Sequence, residues 1–227
     1  MLGSALVMLF GVALVTVVPL AWLATYPPVA TAFMLRSHFA DPASDEPCAS
    51  VDYTWVDWAR IAPDVPRAVV LAEDQRFLQH RGFDFRSIER AVREHESSGR
   101  VRGASTLTQQ LAKNLFLWPG RSWLRKGAEA WYAFWIERVW SKRRILELYL
   151  NVAQFGPCVF GVEAAAQRFF GTGADSLDRE QAALLATVLP NPKKLRAHNP
   201  GPYARERRRE LLDLMDEKAG APWLHRL

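Results

Sequence analysis

Residues 72–84 read AEDQRFLQHRGFD and follow directly on an apolar run, AVVLA, at residues 68–72. An apolar run of this kind indicates a packed helix, so Glu73 is predicted to lie at the end of a buried element. A carboxylate held there, beside the second acid Asp74, is expected to have a raised pKa because of desolvation and like-charge repulsion. Such a pKa is what a general base or a general acid requires.

The same residues also allow a simpler interpretation. Glu73 and Asp74 then form an exposed acidic pair at a helix end, and His80 and Asp84 form a local hydrogen-bonded turn. Acidic side chains are mostly exposed in folded proteins, so the rest of the chain has to decide between the two interpretations.

A second polar stretch lies at residues 102–114, RGASTLTQQLAKN. A helix through it brings five polar side chains to one side, namely Thr106, Gln109, Gln110, Lys113 and Asn114. Amides, hydroxyls and one lysine make a poor core stripe but a good lining for sugar hydroxyls and a phosphate. Backbone N–H groups in the GAST segment at the helix start favour an anion there. The alternative is a polar surface without a ligand.

Two further stretches combine charges at helical spacing. In RKGAE, residues 125–129, Arg125 and Lys126 precede Glu129 by four and three positions. They are either intrahelical ion pairs worth roughly 0.3 kcal/mol or a second carboxylate whose two cations hold a diphosphate. In KRRILELYLN, residues 142–151, the pair Glu147 and Asn151 is predicted to buttress a site rather than to perform chemistry.

The positive charge of the chain is concentrated in its centre. Residues 100–144 contain ten Lys or Arg, two Glu and five Trp, although the whole chain carries a net charge of only +5. Basic and aromatic side chains together fit nucleic acid or an anionic membrane surface that carries a phosphorylated ligand. A solvated basic helix face would explain the charge but not the tryptophans.

The N-terminus favours the membrane and argues against nucleic acid. Residues 1–35 contain no charged side chain, and residues 2–23 suffice to cross a hydrocarbon core, which takes about 20 residues. The alternative is a cleaved signal peptide, because Ala30-Thr31-Ala32 resembles a cleavage site. Neither flank has a cluster of Lys and Arg that would fix the orientation of an anchor.

The chain is predicted to have three parts: an anchor at residues 1–26, a largely irregular connector at 27–64 with a short extended piece at 51–58, and a helical domain at 65–227. Apolar spacing predicts helices at 67–77, 87–96, 106–116, 123–140, 142–151, 162–170 and 179–189. Ser141 and Asp178 are predicted helix N-caps, and Gly171 and Gly173 are predicted stops. Cys48 and Cys158 are either a disulfide in an oxidising compartment or two separate buried thiols.

In this order and at these separations, the four stretches resemble the motifs of glycosyltransferase family 51, which synthesises the bacterial cell wall. AEDQRFLQHRGFD is similar to the first motif, Glu-Asp-x-x-Phe-x-x-His-x-Gly. RGASTLTQQLAKN is similar to the second, Gly-x-Ser-Thr-x-Thr-Gln-Gln-x-x-Lys-Asn, and RKGAE and KRRILELYLN to the third and fourth. Without Ser-x-x-Lys and Lys-Thr-Gly motifs of a transpeptidase, the chain resembles the monofunctional peptidoglycan transglycosylases of this family. Pro157-Cys158 is a local departure.

The resemblance implies a mainly α, lysozyme-like fold with a membrane-dipping jaw, preceded by one transmembrane helix. It implies that Glu73 is the catalytic base, that Glu129 is a second essential carboxylate and that Lys113, Arg125 and Lys126 lie near the donor pyrophosphate. It extends substrate contact to these positions: Asp74, Phe77, His80, Gly82, Ser105, Thr106, Gln109, Gln110, Lys113, Asn114, Arg125, Lys126, Glu147 and Asn151.

The implied reaction transfers a glycan from undecaprenyl pyrophosphate to the GlcNAc 4-hydroxyl of lipid II with inversion. The implied location is the inner membrane, with the catalytic domain in the periplasm. Membrane lipids are expected partners, other cell-wall synthesis and division proteins remain open, and nucleic acid is not expected. Mg²⁺ on the donor pyrophosphate is left open, and no organic cofactor is expected.

Two other functions remain to be distinguished. A muramidase or lytic transglycosylase also uses a glutamate, but as an acid that cleaves the polymer. Its leaving group is a sugar, so it has no need for Lys113, Arg125 and Lys126. A non-enzymatic cell-wall scaffold would tolerate the loss of the Glu73 carboxylate but not the loss of the anchor.

Overall fold

The computed structural model describes residues 2–98, 103, 105–120 and 122–220. Arg102 and Ala104 of the second motif, and residues 221–227 of the predicted domain, lie outside the described residues. The helices are α1 Leu2–Leu23, α2 Ala32–Ser37, α3 Asp64–Glu73, α4 Phe85–Ser98, α5 Leu107–Phe116, α6 Trp123–Val139, α7 Lys142–Val152, α8 Val162–Phe170, α9 Arg179–Val188 and α10 Pro202–Glu217. The strands are β1 Asp52–Tyr53, β2 Gln154–Gly156 and β3 Val159–Phe160.

The prediction of a mainly helical chain is confirmed, and each of the seven helices predicted from apolar spacing is present. The first ends at Glu73 and not at residue 77, because the backbone of Asp74 leaves the helical region (φ −156°, ψ 74°). Both predicted N-caps are confirmed, since Ser141 and Asp178 each accept a hydrogen bond from a backbone N–H three residues on. Gly171, in the left-handed region, ends α8 as predicted.

Helix α10 is an element that apolar spacing did not predict. It is rich in charged residues, and only Ala204, Leu211 and Met215 are buried along it. It packs against α3 and α9 at one side of the core. Pro202 at its first turn, directly after Gly201, is the local sequence feature that favours a helix start there.

The connector is more ordered than its composition predicts. Its strand β1 pairs in parallel with β3, which in turn pairs antiparallel with β2, so residues 52–53 join a small three-stranded sheet. Val56, Ile61 and Ala62 are buried in the main core. The fold of the domain therefore extends into the connector, before residue 65.

A disulfide joins Cys48 to Cys158 and settles the question of the two thiols. Beside it, the buried carboxylate of Asp41 accepts hydrogen bonds from Ser37 (3.0 Å), Gln154 (2.5 Å) and the backbone N–H of Cys158 (3.3 Å). The same segment of the connector is thus tied to the β2–β3 turn by a covalent bond and by a hydrogen-bonded carboxylate.

Helix α1 is attached to α6 and α7 through polar contacts at its last turns. The indole N–H of Trp131 donates to Thr16 (3.1 Å), and that of Trp140 donates to the carbonyl of Leu20 (2.8 Å). The guanidinium of Arg144 donates to the carbonyl of Leu23 (2.9 Å), one of the carbonyls that a helix end leaves without a partner. None of the helices in the described residues has the length and apolar composition that a membrane crossing requires. The transmembrane anchor stays a prediction.

Candidate functional site

Glu73 lies at the end of α3, whose preceding residues Val69, Val70 and Leu71 are buried in the core. Its Oε2 accepts a hydrogen bond from Nε2 of Gln110 (2.8 Å) on α5. The other end of that amide accepts the phenolic O–H of Tyr149 (2.8 Å) on α7. Three helices therefore meet at one carboxylate, and its position is fixed through their packing.

The environment of Glu73 confirms the predicted direction and causes of its pKa shift. Burial raises the pKa of the carboxyl above its usual range, and the neighbouring charge of Asp74 adds a smaller effect in the same direction. The hydrogen bond from Gln110 and the charges of Lys113 and Arg207 oppose the shift without cancelling it. A carboxylate that binds a proton more readily than usual is a stronger base.

Asp74 takes no part in this chain of hydrogen bonds and joins the first motif to the second. Its carboxylate contacts Nε2 of His80 at 2.9 and 3.0 Å and accepts the backbone N–H of Leu107 (3.1 Å). Nδ1 of His80 is buried and has no partner within the described residues. His80 therefore pairs with Asp74, whereas Asp84 binds Arg76 and Ser87, so the alternative of a hydrogen-bonded turn between His80 and Asp84 is wrong.

The side chains of Thr106 and Gln109 make hydrogen bonds that cap the start of α5. Thr106 is the N-cap and not a helical residue, so the predicted alignment from Thr106 through Asn114 does not begin there. Oε1 of Gln109 accepts a hydrogen bond from the backbone N–H of Thr106 (3.1 Å), which completes a capping box. The Thr106 hydroxyl also donates to the carbonyl of Gly82 (2.7 Å). The predicted polar face thus divides, because Thr106 and Gln109 hold the loop while Gln110 faces Glu73.

Gly82, Phe77 and Asn114 are packing positions within the same motifs. Gly82 has a φ of +85°, and a Cβ there would lie 3.2 Å from both the carbonyl oxygen of Ala133 and Cγ of Glu137. Phe77 is fully buried, and Asn114 is 9% exposed. Gly82 and Phe77 therefore shape the site by fixing the backbone and by filling space.

The third motif forms a cluster of opposite charges on α6. Glu129 is only 3% exposed, and its Oε2 accepts a hydrogen bond from Nη1 of Arg125 (2.7 Å). Its Oε1 contacts Nζ of Lys126, which also donates to the hydroxyl of Ser105 (3.2 Å) beside the start of α5. The ion pairs within α6 are therefore present, and the binding of a diphosphate by the two cations stays a prediction.

Lys113 connects the cluster to Glu73. Burial lowers the pKa of the Lys113 ammonium, the charges of Arg125 and Lys126 lower it further, and Glu129 and Glu73 act in the opposite direction. All four charges are thus close enough to influence one ammonium group. A poorly hydrated cation beside two others is suited to a pyrophosphate, whose charge they would share.

Glu147 and Asn151 hold the connector against α7. Glu147 accepts the backbone N–H of Trp58 (2.8 Å), and Asn151 exchanges hydrogen bonds with the N–H and the carbonyl of Val56 (2.8 and 2.9 Å). Asn151 has no exposed surface, so it does not present its amide to a ligand. The structure favours the buttressing interpretation of this pair over substrate contact.

Several residues of this region were not predicted from sequence. Tyr149 lies in an apolar helical run and is typical of a core residue by its spacing alone. Glu137 is buried between the hydroxyl of Thr108 (2.5 Å) and the ammonium of Lys142 (2.8 Å), and Lys142 lies over the ring of Phe77 (4.4 Å). The spacing of five between Glu137 and Lys142 crosses a helix boundary, so no helical pattern indicates that pair.

The donor groups at the site do not fit a Mg²⁺ ion held by the protein. Both oxygens of Glu129 contact cations, and Glu73 is bound by an amide. Within the described residues, the one group of three or more His, Cys, Asp or Glu side chains close enough to share a metal is Asp41, Cys48 and Cys158, and its two sulfurs are bonded to each other. Mg²⁺ normally takes several oxygen ligands, which these residues do not supply.

Comparison with known proteins places the chain among its relatives. The family described as Transglycosylase matches residues 44–216, which include every motif described above. The chain belongs to this family. The matched segment begins within the connector, in agreement with the packing of residues 52–62 into the fold.

Three relatives of this family show how widely the similarity extends, and each is named biosynthetic peptidoglycan transglycosylase. The protein from Xylella fastidiosa (strain M23) is 57% identical over 155 residues, or 68% of this chain and 64% of the relative. The one from Pseudomonas aeruginosa is 45% identical over 212 residues, or 93% of this chain and 91% of the relative. The one from Stutzerimonas stutzeri is 43% identical over 228 residues, or 100% of this chain and 92% of the relative. The aligned part thus spans just under two thirds of the Xylella protein.

Proposed function

We propose that this chain polymerises lipid II into β-1,4-linked peptidoglycan strands. The donor is a glycan on undecaprenyl pyrophosphate, and the acceptor is the GlcNAc 4-hydroxyl of lipid II. The observation that carries the proposal is that α5, whose Gln110 holds the partly buried Glu73, packs against α6 and its cluster of Arg125, Lys126 and Glu129. Transfer from a pyrophosphate needs a base for the attacking hydroxyl and positive charge for the leaving group, and the site supplies both.

Glu73 acts as the base in this mechanism. It accepts the proton of the acceptor hydroxyl as that oxygen attacks the anomeric carbon of the donor. The bond from that carbon to the pyrophosphate oxygen breaks on the opposite face, so an α-linked donor gives a β-1,4 product. Gln110 and Tyr149 hold the carboxylate in place while it takes up the proton.

The cations stabilise the departing pyrophosphate. The positive charges of Lys113, Arg125 and Lys126 stabilise the pyrophosphate, which becomes more negative as the bond breaks. Because these side chains are already in position, the protein does not have to reorganise during the reaction. Glu129 positions Arg125 and Lys126 through its two oxygens and does not itself react. No step of this mechanism passes through Mg²⁺.

We further propose that the chain is anchored in the inner membrane with its catalytic domain in the periplasm. The uncharged residues 1–35 support an anchor, and the disulfide supports an oxidising compartment. Trp123 and Leu124, at the start of α6, are 93% and 78% exposed, as expected of a jaw that enters lipid. The substrate would then reach the site along the membrane surface.

The test is Glu73→Gln in liposomes that contain labelled lipid II. Loss of a general base costs roughly 10²- to 10⁴-fold, so polymer should nearly disappear while circular dichroism remains unchanged. Glu217→Gln, at the exposed end of α10, is the matched control and should polymerise normally. Polymerisation by Glu73→Gln near the unmodified rate would remove Glu73 from the role of base.

Two additional measurements separate the proposal from the other functions. Incubation of the unmodified protein with purified sacculi releases soluble fragments if the chain is a muramidase or lytic transglycosylase, and leaves them intact if it is a polymerase. A scaffold predicts that Glu73→Gln complements a deletion strain fully.

Arg125→Ala is expected to lower turnover by about a hundredfold if its guanidinium faces the leaving group.

A further inference from the structure

Helix α4 exposes apolar side chains that the core does not use. Phe85, Ile88 and Val92 are 74%, 37% and 52% exposed. Their spacing of three and four residues places them on one face of the helix, which we call the apolar ridge. Within the described residues, α4 contributes no side chain to the hydrophobic core. Apart from the stacking of Phe85 on Phe83 (6.2 Å between ring centroids), the ridge takes no part in the packing of the described residues.

A basic cavity lies beside the ridge. It has a volume of about 390 Å³ and is lined by Arg76, Arg86, Glu89, Arg90 and Arg93. We call it the arginine pocket. Arg86, Glu89 and Arg93 each directly follow a residue of the ridge, so they project about 100° around the helix from it. Arg90 lies one turn after Arg86, on the polar side of α4.

Two of the arginines in this pocket are already neutralised. Arg76 pairs with Asp84 (2.8 Å), and Arg93 pairs with Glu89 (2.5 Å). These pairs hold the walls of the pocket but leave little net charge for a ligand.

The other two arginines carry uncompensated charge. Arg90 donates to the neutral hydroxyl of Ser87 (2.9 Å), and Arg86 has no ion-pair partner in the part of the chain that the structure describes. Two guanidinium groups four residues apart on one helix face lie one turn from each other. They are spaced to contact one phosphodiester or two adjacent ones.

We propose that the arginine pocket binds the headgroup phosphate of an anionic phospholipid while the apolar ridge enters the acyl region beside it. The planar guanidinium suits the oxygens of a phosphate, and it does so with less hydration to lose than an ammonium. A soluble phosphate would leave Phe85, Ile88 and Val92 in water. A lipid satisfies both surfaces of α4 at once, as in helices that lie in a membrane interface.

This inference uses the membrane location proposed above but none of the chemistry at Glu73. Its test therefore contains no lipid II, so a failure of the polymerase mechanism leaves the result unchanged. Because the two native cysteines are joined, a cysteine introduced by Ser97→Cys on α4 is the only thiol available for labelling. A fluorophore attached there reports which lipids lie next to the helix.

The full-length labelled protein is reconstituted in equimolar phosphatidylcholine and phosphatidylglycerol, with bromine on the acyl chains of one lipid at a time. Bromine quenches a fluorophore only at short range. We expect brominated phosphatidylglycerol to quench more strongly, with a preference of about fivefold for each arginine that reaches a headgroup. Equal quenching by the two brominated lipids would overturn the proposal.

Two variants identify the groups responsible. The triple variant Arg86→Gln, Arg90→Gln, Arg93→Gln should abolish the preference while quenching by either lipid persists. The matched control removes the same charge elsewhere, through exchange of the exposed Arg168, Arg205 and Arg209 for Gln. If the control loses the preference as fully as the pocket variant, the attraction is a property of net charge, and the pocket is not a site.

The ridge has its own variant. Phe85→Ser with Val92→Ser should weaken quenching by both brominated lipids, since α4 would no longer enter the acyl region. Unchanged quenching by both lipids would place α4 outside the membrane interface and contradict the proposal.

Discussion

Gln110 donates a hydrogen bond from Nε2 to Oε2 of Glu73 at 2.8 Å, and this contact fixes which end of the amide faces the carboxylate. The opposite end accepts the phenolic O–H of Tyr149 at 2.8 Å, so the amide cannot turn over without losing both bonds. Burial raises the pKa of the fully buried Tyr149 phenol well above its usual range, which keeps it a donor. The buried Tyr149 therefore holds the Gln110 amide, and the amide fixes the position of the Glu73 carboxylate.

Tyr149→Phe should impair catalysis without touching the reacting groups. It leaves the buried Oε1 of Gln110 without a donor, which costs about 1–3 kcal/mol, and it frees the amide to turn. We expect the polymerisation rate to fall by roughly tenfold. Because the Gln110 bond lowers the pKa of Glu73, its loss should also move the acid limb of the rate–pH profile to higher pH. Tyr203→Phe, at an exposed position, is the control. An unchanged acid limb in Tyr149→Phe would show that Tyr149 does not position the Gln110 amide against Glu73.

Glu73→Gln should stabilise the fold at neutral and alkaline pH. Burial raises the pKa of the Glu73 carboxyl in the folded chain, so its contribution to stability is fully present below the unfolded pKa and is lost as pH rises through the folded value. The variant has no such loss. We therefore expect its thermal midpoint to exceed that of the unmodified protein at about pH 8, with the difference shrinking toward about pH 4. A pH-independent difference in midpoints, measured by circular dichroism, would contradict the raised pKa.

Gly82→Ala should destabilise the chain through both its backbone and its contacts. A φ of +85° strains any residue with a Cβ, and the added atom would lie 3.2 Å from the Ala133 carbonyl oxygen. We expect a loss of about 2–3 kcal/mol in the free energy of unfolding. Gly171→Ala is the matched control, because its φ of +67° brings strain but its Cβ meets nothing within 4 Å. Equal losses at both positions would show that the Ala133 contact contributes nothing.

The local pattern around Glu73 allowed two interpretations, and the structure favours the partly buried carboxylate with a raised pKa over the exposed acidic pair. An apolar run sets the depth of the next residue, and the adjacent Asp74 adds a like charge whatever the tertiary fold. The spacing of Arg125 and Lys126 from Glu129 is local in the same sense, since one helix brings the three together.

What the sequence could not predict depends on contacts between distant segments. Tyr149 has the spacing of a core residue, and only the packing of α5 against α7 gives its hydroxyl a role. Thr106 looked like one member of a helical face, but its hydroxyl bonds to Gly82, 24 residues away. The pairing of Cys48 with Cys158, across 110 residues, required the connector to enter the sheet.

Exchange of both cysteines, Cys48→Ser with Cys158→Ser, should lower the free energy of unfolding by about 2–4 kcal/mol. The crosslink closes a loop of 110 residues and so restricts the unfolded chain. Reduction of the unmodified protein should lower its stability by a similar amount, and the reductant should have no effect on the variant. A variant as stable as the unmodified protein would show that the crosslink adds nothing to the contacts around it.

Asp41 joins the connector to the β2–β3 turn, as the disulfide does. The effects of losing the disulfide and the carboxylate on the free energy of unfolding are therefore expected to be coupled. The oxygens of Asp41 bind Gln154 and the backbone N–H of Cys158, so Asp41→Asn in the oxidised protein leaves the covalent link in place. Removal of both ties loosens residues 41–48 of the connector from the β2–β3 turn, whereas either single change leaves one tie in place. We therefore expect the combined variant to lose about 1 kcal/mol more than the sum of the separate losses, as measured by denaturant unfolding. Strict additivity would mean that the two ties support different parts of the fold.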